Sequence, residues 1–189
     1  MIFINPELET SEDVVTLGTY YPTGHEQFQN SSLSKAILNI KYRHGEDPDS
    51  KPWKQANKMN ALRAFQRKLD PMLATGIAIA VVPPHDPGST RSGIQELAQG
   101  LAANRRVDAC SCLVRHTAIQ KLATGGPRSI EVHLRSIRVD NAELIKDREV
   151  LLLDDVSTSG SSLEACRRLL LEAGAAAVKC AVLGKTVGR

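Results

Sequence analysis

Apolar positions along this chain follow two different rhythms. In the first third they recur at helical spacing. Leu33, Ala36, Ile37 and Ile40 form one stripe, with Ser31 or Ser32 as N-cap, and Met59, Leu62, Phe65 and Leu69 form a second, which Pro71 stops. Val14–Tyr21 is β-branched and aromatic and predicts a strand, whereas His44–Pro52, charged and holding a glycine and two prolines, predicts a loop. After Gly76 the texture changes. Ile77–Val82 is an uninterrupted apolar run closed by Pro83-Pro84, the pattern of a parallel-sheet strand covered on both faces.

From there, strand and helix patterns alternate to the end. Ile94, Leu97, Ala98, Leu101 and Ala102 predict a helix, Ala109–Val114 a strand and Val150–Leu153 another. Leu163, Cys166, Leu170 and Ala173 predict a helix stopped at Gly174, and Ala176–Leu183 a last strand. The expected fold is therefore α/β, a central mostly parallel sheet flanked by helices. Residues 77–189 would form its core, and residues 1–76 an N-terminal hood or edge subdomain. Such sheets bind ligands beyond the carboxyl ends of their strands, so the segments after Val82, Val114, Leu153 and Leu183 are where chemistry is expected.

Composition narrows the class. A chain of 189 residues can bury roughly 70% of its unfolded surface, so it needs neither disulfide nor metal to fold. A net charge of +3 with 42% hydrophobic residues excludes disorder as the main state. No apolar run approaches the roughly 20 residues of a membrane span. Met1–Thr10, with two Glu and no Lys or Arg, lacks the features of a secretory signal, so a cytoplasmic location and reduced thiols are expected. Cys110 and Cys112 would share one face of a strand. A zinc site needs two further ligands at suitable spacing, and Cys166 and Cys180 stand alone.

The most informative segment is Val150–Leu163. A buried strand delivers Asp154 and Asp155 to the sheet edge. A loop rich in hydroxyls follows, Thr158, Ser159, Gly160, Ser161 and Ser162, and a helix begins at its end. Backbone N–H groups there can converge on one anion with the help of the helix dipole. The two carboxylates are acceptors suited to sugar hydroxyls or to a hydrated Mg²⁺. A plain Asp-rich turn with Ser caps would use the same residue types; the complete ordered pattern is more specific and points to a phosphorylated ribose.

This segment resembles the ribose-phosphate fingerprint of type I phosphoribosyltransferases. The resemblance implies that Asp154 and Asp155 hold the ribose hydroxyls of phosphoribosyl pyrophosphate (PRPP), with Mg²⁺ held indirectly through PRPP and water, and that Thr158–Ser162 hold the 5′-phosphate. Thr158 stands where hypoxanthine-guanine transferases carry Asp. Further segments resemble the ComF family of competence-associated phosphoribosyltransferase-like proteins: Ile40-Lys41-Tyr42 within Leu33–Arg43, Val81-Val82-Pro83-Pro84, Arg91 and Gly93 with Gln95–Leu101, and the run Arg115, Gln120, Leu122 and Arg128. The Cys-rich zinc-binding start of that family has no counterpart, since no Cys precedes Cys110.

Two other segments fit that picture. Pro83–Gly93 follows a buried strand and precedes a helix, and its corresponding loop in the family meets the pyrophosphate; Pro84, His85, Ser89 and Arg91 are its candidate contacts. Residues 115–138 hold five Lys or Arg and one acid. Arg115, Lys121 and Arg128 are candidates for neutralising the leaving group as mobile cations, while Arg135 and Arg138 read as a solvated basic face. Gly184-Lys185-Thr186 is not a nucleotide P-loop, because Lys179 replaces its first glycine.

The activity implied is transfer of a phosphoribosyl group from PRPP to a nitrogen nucleophile, a base or amine, with Mg²⁺ as cofactor. A non-catalytic PRPP- or nucleotide-sensing regulator and a DNA-uptake accessory protein are the alternatives, so nucleic acid stays open as a partner. A membrane does not, and the resemblance leans toward a homodimer.

Overall fold

The structure, a computed structural model, describes residues 1–10, 14–41, 51–87, 92–119 and 129–187. Its centre is a parallel sheet in the order β1-β8-β7-β3-β4. These strands are Val15–Thr16 (β1), Ala177–Thr186 (β8), Glu149–Ser157 (β7), Ala78–Val81 (β3) and Val107–Asp108 (β4). Thr19–Tyr20 (β2) continues the line of β1 along β8, so the strand expected over Val14–Tyr21 is present but broken around Gly18.

Uninterrupted apolar runs become strands here because both faces of the sheet are covered. Along β7, Leu151 and Leu153 join one core while Val150 and Leu152 join the other. In β3 the same alternation assigns Ile79 and Val81 to the first core, Ala78 and Ala80 to the second. Three helices cover the first face. They are Ser32–Ile40 (α2), Pro52–Leu69 (α3) and Gly93–Ala102 (α4), which bury Ile37 and Ile40, Leu62 and Phe65, and Leu97 and Leu101. Pro6–Thr10 (α1) is a short N-terminal turn. A half-buried ion pair, Lys58 Nζ to Glu96 Oε1 at 2.6 Å, joins α3 to α4. Ser161–Glu172 (α6) covers the second face through Leu163, Cys166 and Leu170. Ile130–Ser136 (α5) packs on α6.

Local chemistry sets the element ends. Ser31 caps α2, its Oγ accepting the Ser34 N–H at 3.1 Å. Gly174, at φ +99°, ends α6 in the left-handed conformation a side chain would resist. The loop expected over His44–Pro52 lies, up to Ser50, outside the described residues; Pro52 itself opens α3, which begins seven residues before Met59. Proline at the first position suits a helix, since its missing N–H would have no intrahelical partner there.

One expected strand is corrected. Ala109–Val114 is not continuous: β4 ends at Asp108, and Leu113–Arg115 (β5) pairs instead with Ile137–Val139 (β6) in a separate antiparallel ribbon. Asp108 Oδ1 accepts the Cys110 N–H at 3.0 Å, and Cys112 N–H donates to Ala109 O at 3.0 Å, which turns the chain between them. Cys110 and Cys112 therefore do not share a strand face. Cys110 packs into the first core and Cys112 into the second. All four thiols are buried and their ionisation is suppressed by that burial, Cys112 and Cys180 to about 11. Among the described residues no helix is long and apolar enough to cross a membrane.

Candidate functional site

Because the sheet is parallel, the loops after β3, β7 and β8 emerge at one end. A cleft of about 650 Å³ lies there, lined from β7 and the segments after β3 and β7 and by no residue of β8. Its walls include Val82, Pro83, Pro84, His85 and Asp86 after β3, Asp154 and Asp155 on β7, Ser162 on α6, Lys41 after α2, Arg115 on β5 and His133 on α5.

The carboxyl ends of β3 and β7 are held in register by the Val82 N–H, which donates to Leu153 O at 3.0 Å. This fixes Pro83–Asp86 opposite the acidic pair. Adjacent strand residues point to opposite sides, and the two aspartates meet different surroundings. Asp155 Oδ2 lies 3.2 Å from Lys41 Nζ, reaching over from the first-face helix α2. Lys41 also sits over the Tyr20 ring, 5.7 Å from its centroid. Asp154 Oδ1 accepts the Asp155 N–H at 2.8 Å. Burial first, and then the neighbouring Asp155 charge, push the Asp154 carboxyl well above the usual carboxylate range.

Beyond β7 the chain enters α6 through a polar loop. Gly160 takes φ +77° and serves as N-cap, its carbonyl accepting the Glu164 N–H at 2.9 Å. Thr158 Oγ1 lies 3.2 Å from Thr186 Oγ1 at the end of β8, and Ser159 Oγ lies 3.1 Å from Ser161 Oγ. The short hydroxyl side chains thus gather at the N-terminus of a twelve-residue helix, where backbone N–H groups and the dipole favour an anion.

Arg115 is buried at the end of β5. Its Nε–H donates to Pro84 O and its Nη1–H to Ser136 Oγ, both at 2.6 Å. The Ser136 hydroxyl donates on to His133 O at 3.2 Å. Burial pulls the Arg115 pKa below its ordinary value. His133 is 3% exposed, and neither ring nitrogen has a hydrogen-bond partner. Its pKa is lowered by burial, then by Arg115 and His85.

The expected site residues thus fall into three groups. Pro84, His85, Arg115, Asp154, Asp155 and Ser162 line one cleft. Thr158, Ser159, Gly160 and Ser161 form the adjoining loop, next in sequence to Ser162. Ser89, Arg91, Lys121 and Arg128 lie outside the described residues. Arg115 corrects one expectation: it is a fixed side chain held by Pro84 and Ser136, not a mobile cation. Arg138, half exposed, pairs with Asp140 at 2.9 Å. Lys41 and His133 had no role assigned from the sequence. Lys41 falls within the Ile40-Lys41-Tyr42 segment quoted for its resemblance, but it is separated from Asp155 by over a hundred residues and nothing local marks that contact. His133 gave a faint signal, since a helical stripe that buries it also buries Ser136 one turn on.

A family model described as phosphoribosyl transferase domain matches residues 79–186, more than half of the chain and the span from β3 through β8. No curated protein matches the chain.

Proposed function

This chain belongs to the phosphoribosyl transferase domain family, and we propose that it binds PRPP and transfers the phosphoribosyl group to a nitrogen nucleophile. The observation that carries this reading is the junction of β7 and α6. An acidic pair leads into a hydroxyl-rich loop at a helix N-terminus, and the pair and Ser162 share one cleft with Pro83–Asp86.

In this reading Asp154 and Asp155 accept hydrogen bonds from the two ribose hydroxyls, and Thr158–Ser162 hold the 5′-phosphate. The diphosphate lies against Pro84 and His85, with Ser89 and Arg91 as further contacts. Arg115, Lys121 and Arg128 counter its charge. The C1–oxygen bond to diphosphate breaks as the bond from nitrogen to C1 forms, and the nitrogen releases a proton to solvent. No covalent protein intermediate is required; positioning and charge stabilisation supply the rate.

Two hard carboxylate acceptors suit Mg²⁺ carried in by the ligand's own oxygens, and among the described residues no group of three or more His, Cys, Asp or Glu forms a cage for it. When bound with PRPP, Mg²⁺ supplies charge neutralisation on the diphosphate. The order of short motifs from Leu33 to Arg128 supports a likeness to the ComF-like proteins, and the reading includes a base or amine acceptor, a homodimeric assembly and a cytoplasmic setting.

Calorimetric titration with PRPP, with and without Mg²⁺, tests the proposal. Saturable binding strengthened by Mg²⁺ is expected, followed by pyrophosphate release on screening amine and base acceptors. Absence of binding in both conditions overturns it.

A further inference from the structure

Among the described residues two arginine side chains are sequestered, and their surroundings differ. Arg106, with a side chain 2% exposed, pairs with the Asp70 carboxylate at 2.6 Å. It also donates to the carbonyls of Ala74, Leu101, Asp70 and Leu73. That guanidinium is saturated and its charge is answered. Arg115, 4% exposed, donates to one carbonyl and one hydroxyl, and among the described residues it has no carboxylate partner. A buried cation without a counter-ion is costly to fold. It faces a cleft, so the missing anion can arrive with a ligand.

His133 lies beside it. A neutral imidazole carries one donor and one acceptor, and here both are buried and unpartnered at the cleft wall. Buried polar atoms in native proteins almost always find partners. The two groups share one location: Arg115 donates to Pro84 O and to Ser136 Oγ, and the Ser136 hydroxyl donates on to His133 O. Both therefore belong to the part of the cleft that Pro84 and His85 line.

We propose that His133 is a ligand-contacting residue whose ring N–H donates to a diphosphate oxygen in the same pocket where Arg115 answers its charge. This rests on the PRPP reading of the cleft and adds to it a residue from α5. A neutral imidazole beside a fixed guanidinium gives a directional donor without a second buried cation. Such a pair selects an oxyanion over a neutral hydroxyl.

The test uses the full chain and two probes, inorganic diphosphate and ribose 5-phosphate, each with Mg²⁺ at one pH. For diphosphate, His133→Leu should raise the dissociation constant about tenfold or more, as loss of a hydrogen bond to a charged group does. His133→Gln, which keeps a donor, should recover most of that loss. Ribose 5-phosphate affinity should be unchanged in both variants. If His133→Leu fails to fold, the wild-type chain still decides by NMR. The His133 ring resonance, identified by its disappearance in His133→Gln, should shift on saturation with diphosphate and stay in place with ribose 5-phosphate. Unchanged diphosphate affinity, or an unshifted resonance at saturation, overturns the role of His133 and leaves the PRPP reading standing. If neither probe binds the wild-type chain, both fall.

Discussion

Replacing each sequestered arginine by methionine separates the two roles by stability alone. Arg106→Met removes five hydrogen bonds, two of them from Nη1 to Asp70 Oδ1 and Leu101 O, one from Nε to Ala74 O and two from Nη2 to Asp70 O and Leu73 O. It also leaves Asp70, whose carboxyl Arg106 holds below the usual range, with only Asn104 as partner. Because Asp70 is about a third exposed, the loss comes mainly from the five bonds of the charged donor, on the order of 3 kcal/mol or more in all. Arg115→Met removes two bonds from a charged donor, worth about 1.5–3 kcal/mol each. Against that loss stands the desolvation of a buried guanidinium with no carboxylate, several kcal/mol per ion, which methionine abolishes at similar length. The two terms nearly cancel, so Arg115→Met is expected within about 1 kcal/mol of wild type. Urea unfolding at neutral pH, followed by far-ultraviolet circular dichroism, measures both midpoints, and equal m-values are needed to compare them. Equal losses for the two variants would refute the reasoning, because Arg115 would then be a structural arginine like Arg106.

Two further outcomes follow from the same geometry. Asp154 titrates above the usual range in the folded chain, so its protonated form supports the fold below about pH 4 and that support is lost as pH rises through the raised value. Asp154→Asn, neutral throughout, should therefore unfold at higher urea than wild type at pH 8, match it near pH 4, and lose PRPP binding; a variant less stable at pH 8 would contradict this. At Gly93 an added Cβ would overlap Ile40 O at the end of α2, so Gly93→Ala should cost about 1–3 kcal/mol in the same urea assay, and a neutral result would show that α2 and α4 can separate freely there.

The layered core was legible in the sequence because its strands are buried on both sides. Ile77–Val82 and Val150–Leu153 need no alternation when each face meets a helix layer. The acidic pair and hydroxyl loop were legible because their order is local: strand, carboxylates, hydroxyls and helix follow within fourteen residues. What failed was set by pairing across the chain. Ala109–Val114 has strand composition, yet Asp108 turns the backbone and β5 finds its partner in β6. Pro52 looks like a breaker until its place at a helix start is known. For Arg115, sequence shows a charge but not whether that charge is mobile, paired or buried. The Lys41 contact to Asp155 depends on α2 ending beside the sheet edge, where Gly93 permits α4 to approach Ile40 closely.

The unsatisfied groups are not spread through the molecule. Lys58 is answered by Glu96, Arg106 by Asp70, and buried Ser34 by the Tyr21 N–H and the Ser31 hydroxyl. Apart from Gln55 Oε1, the buried side-chain polar atoms without a partner among the described residues are the two ring nitrogens of His133. The same cleft holds Asp154, penalised for its charge, and Arg115, buried without an anion. Opposite charges in one cleft would cancel if they touched. Among the described residues neither bonds the other: Asp154 accepts the Asp155 N–H, and Arg115 donates to Pro84 O and Ser136 Oγ. Groups that violate the rules obeyed elsewhere in a fold mark its functional site. A ligand that offers hydroxyl donors at one end and phosphoryl oxygens at the other satisfies both groups at once. On the proposed reading PRPP is such a ligand. A simple anion would answer Arg115 and leave the acidic group as it was, and a simple sugar would do the reverse.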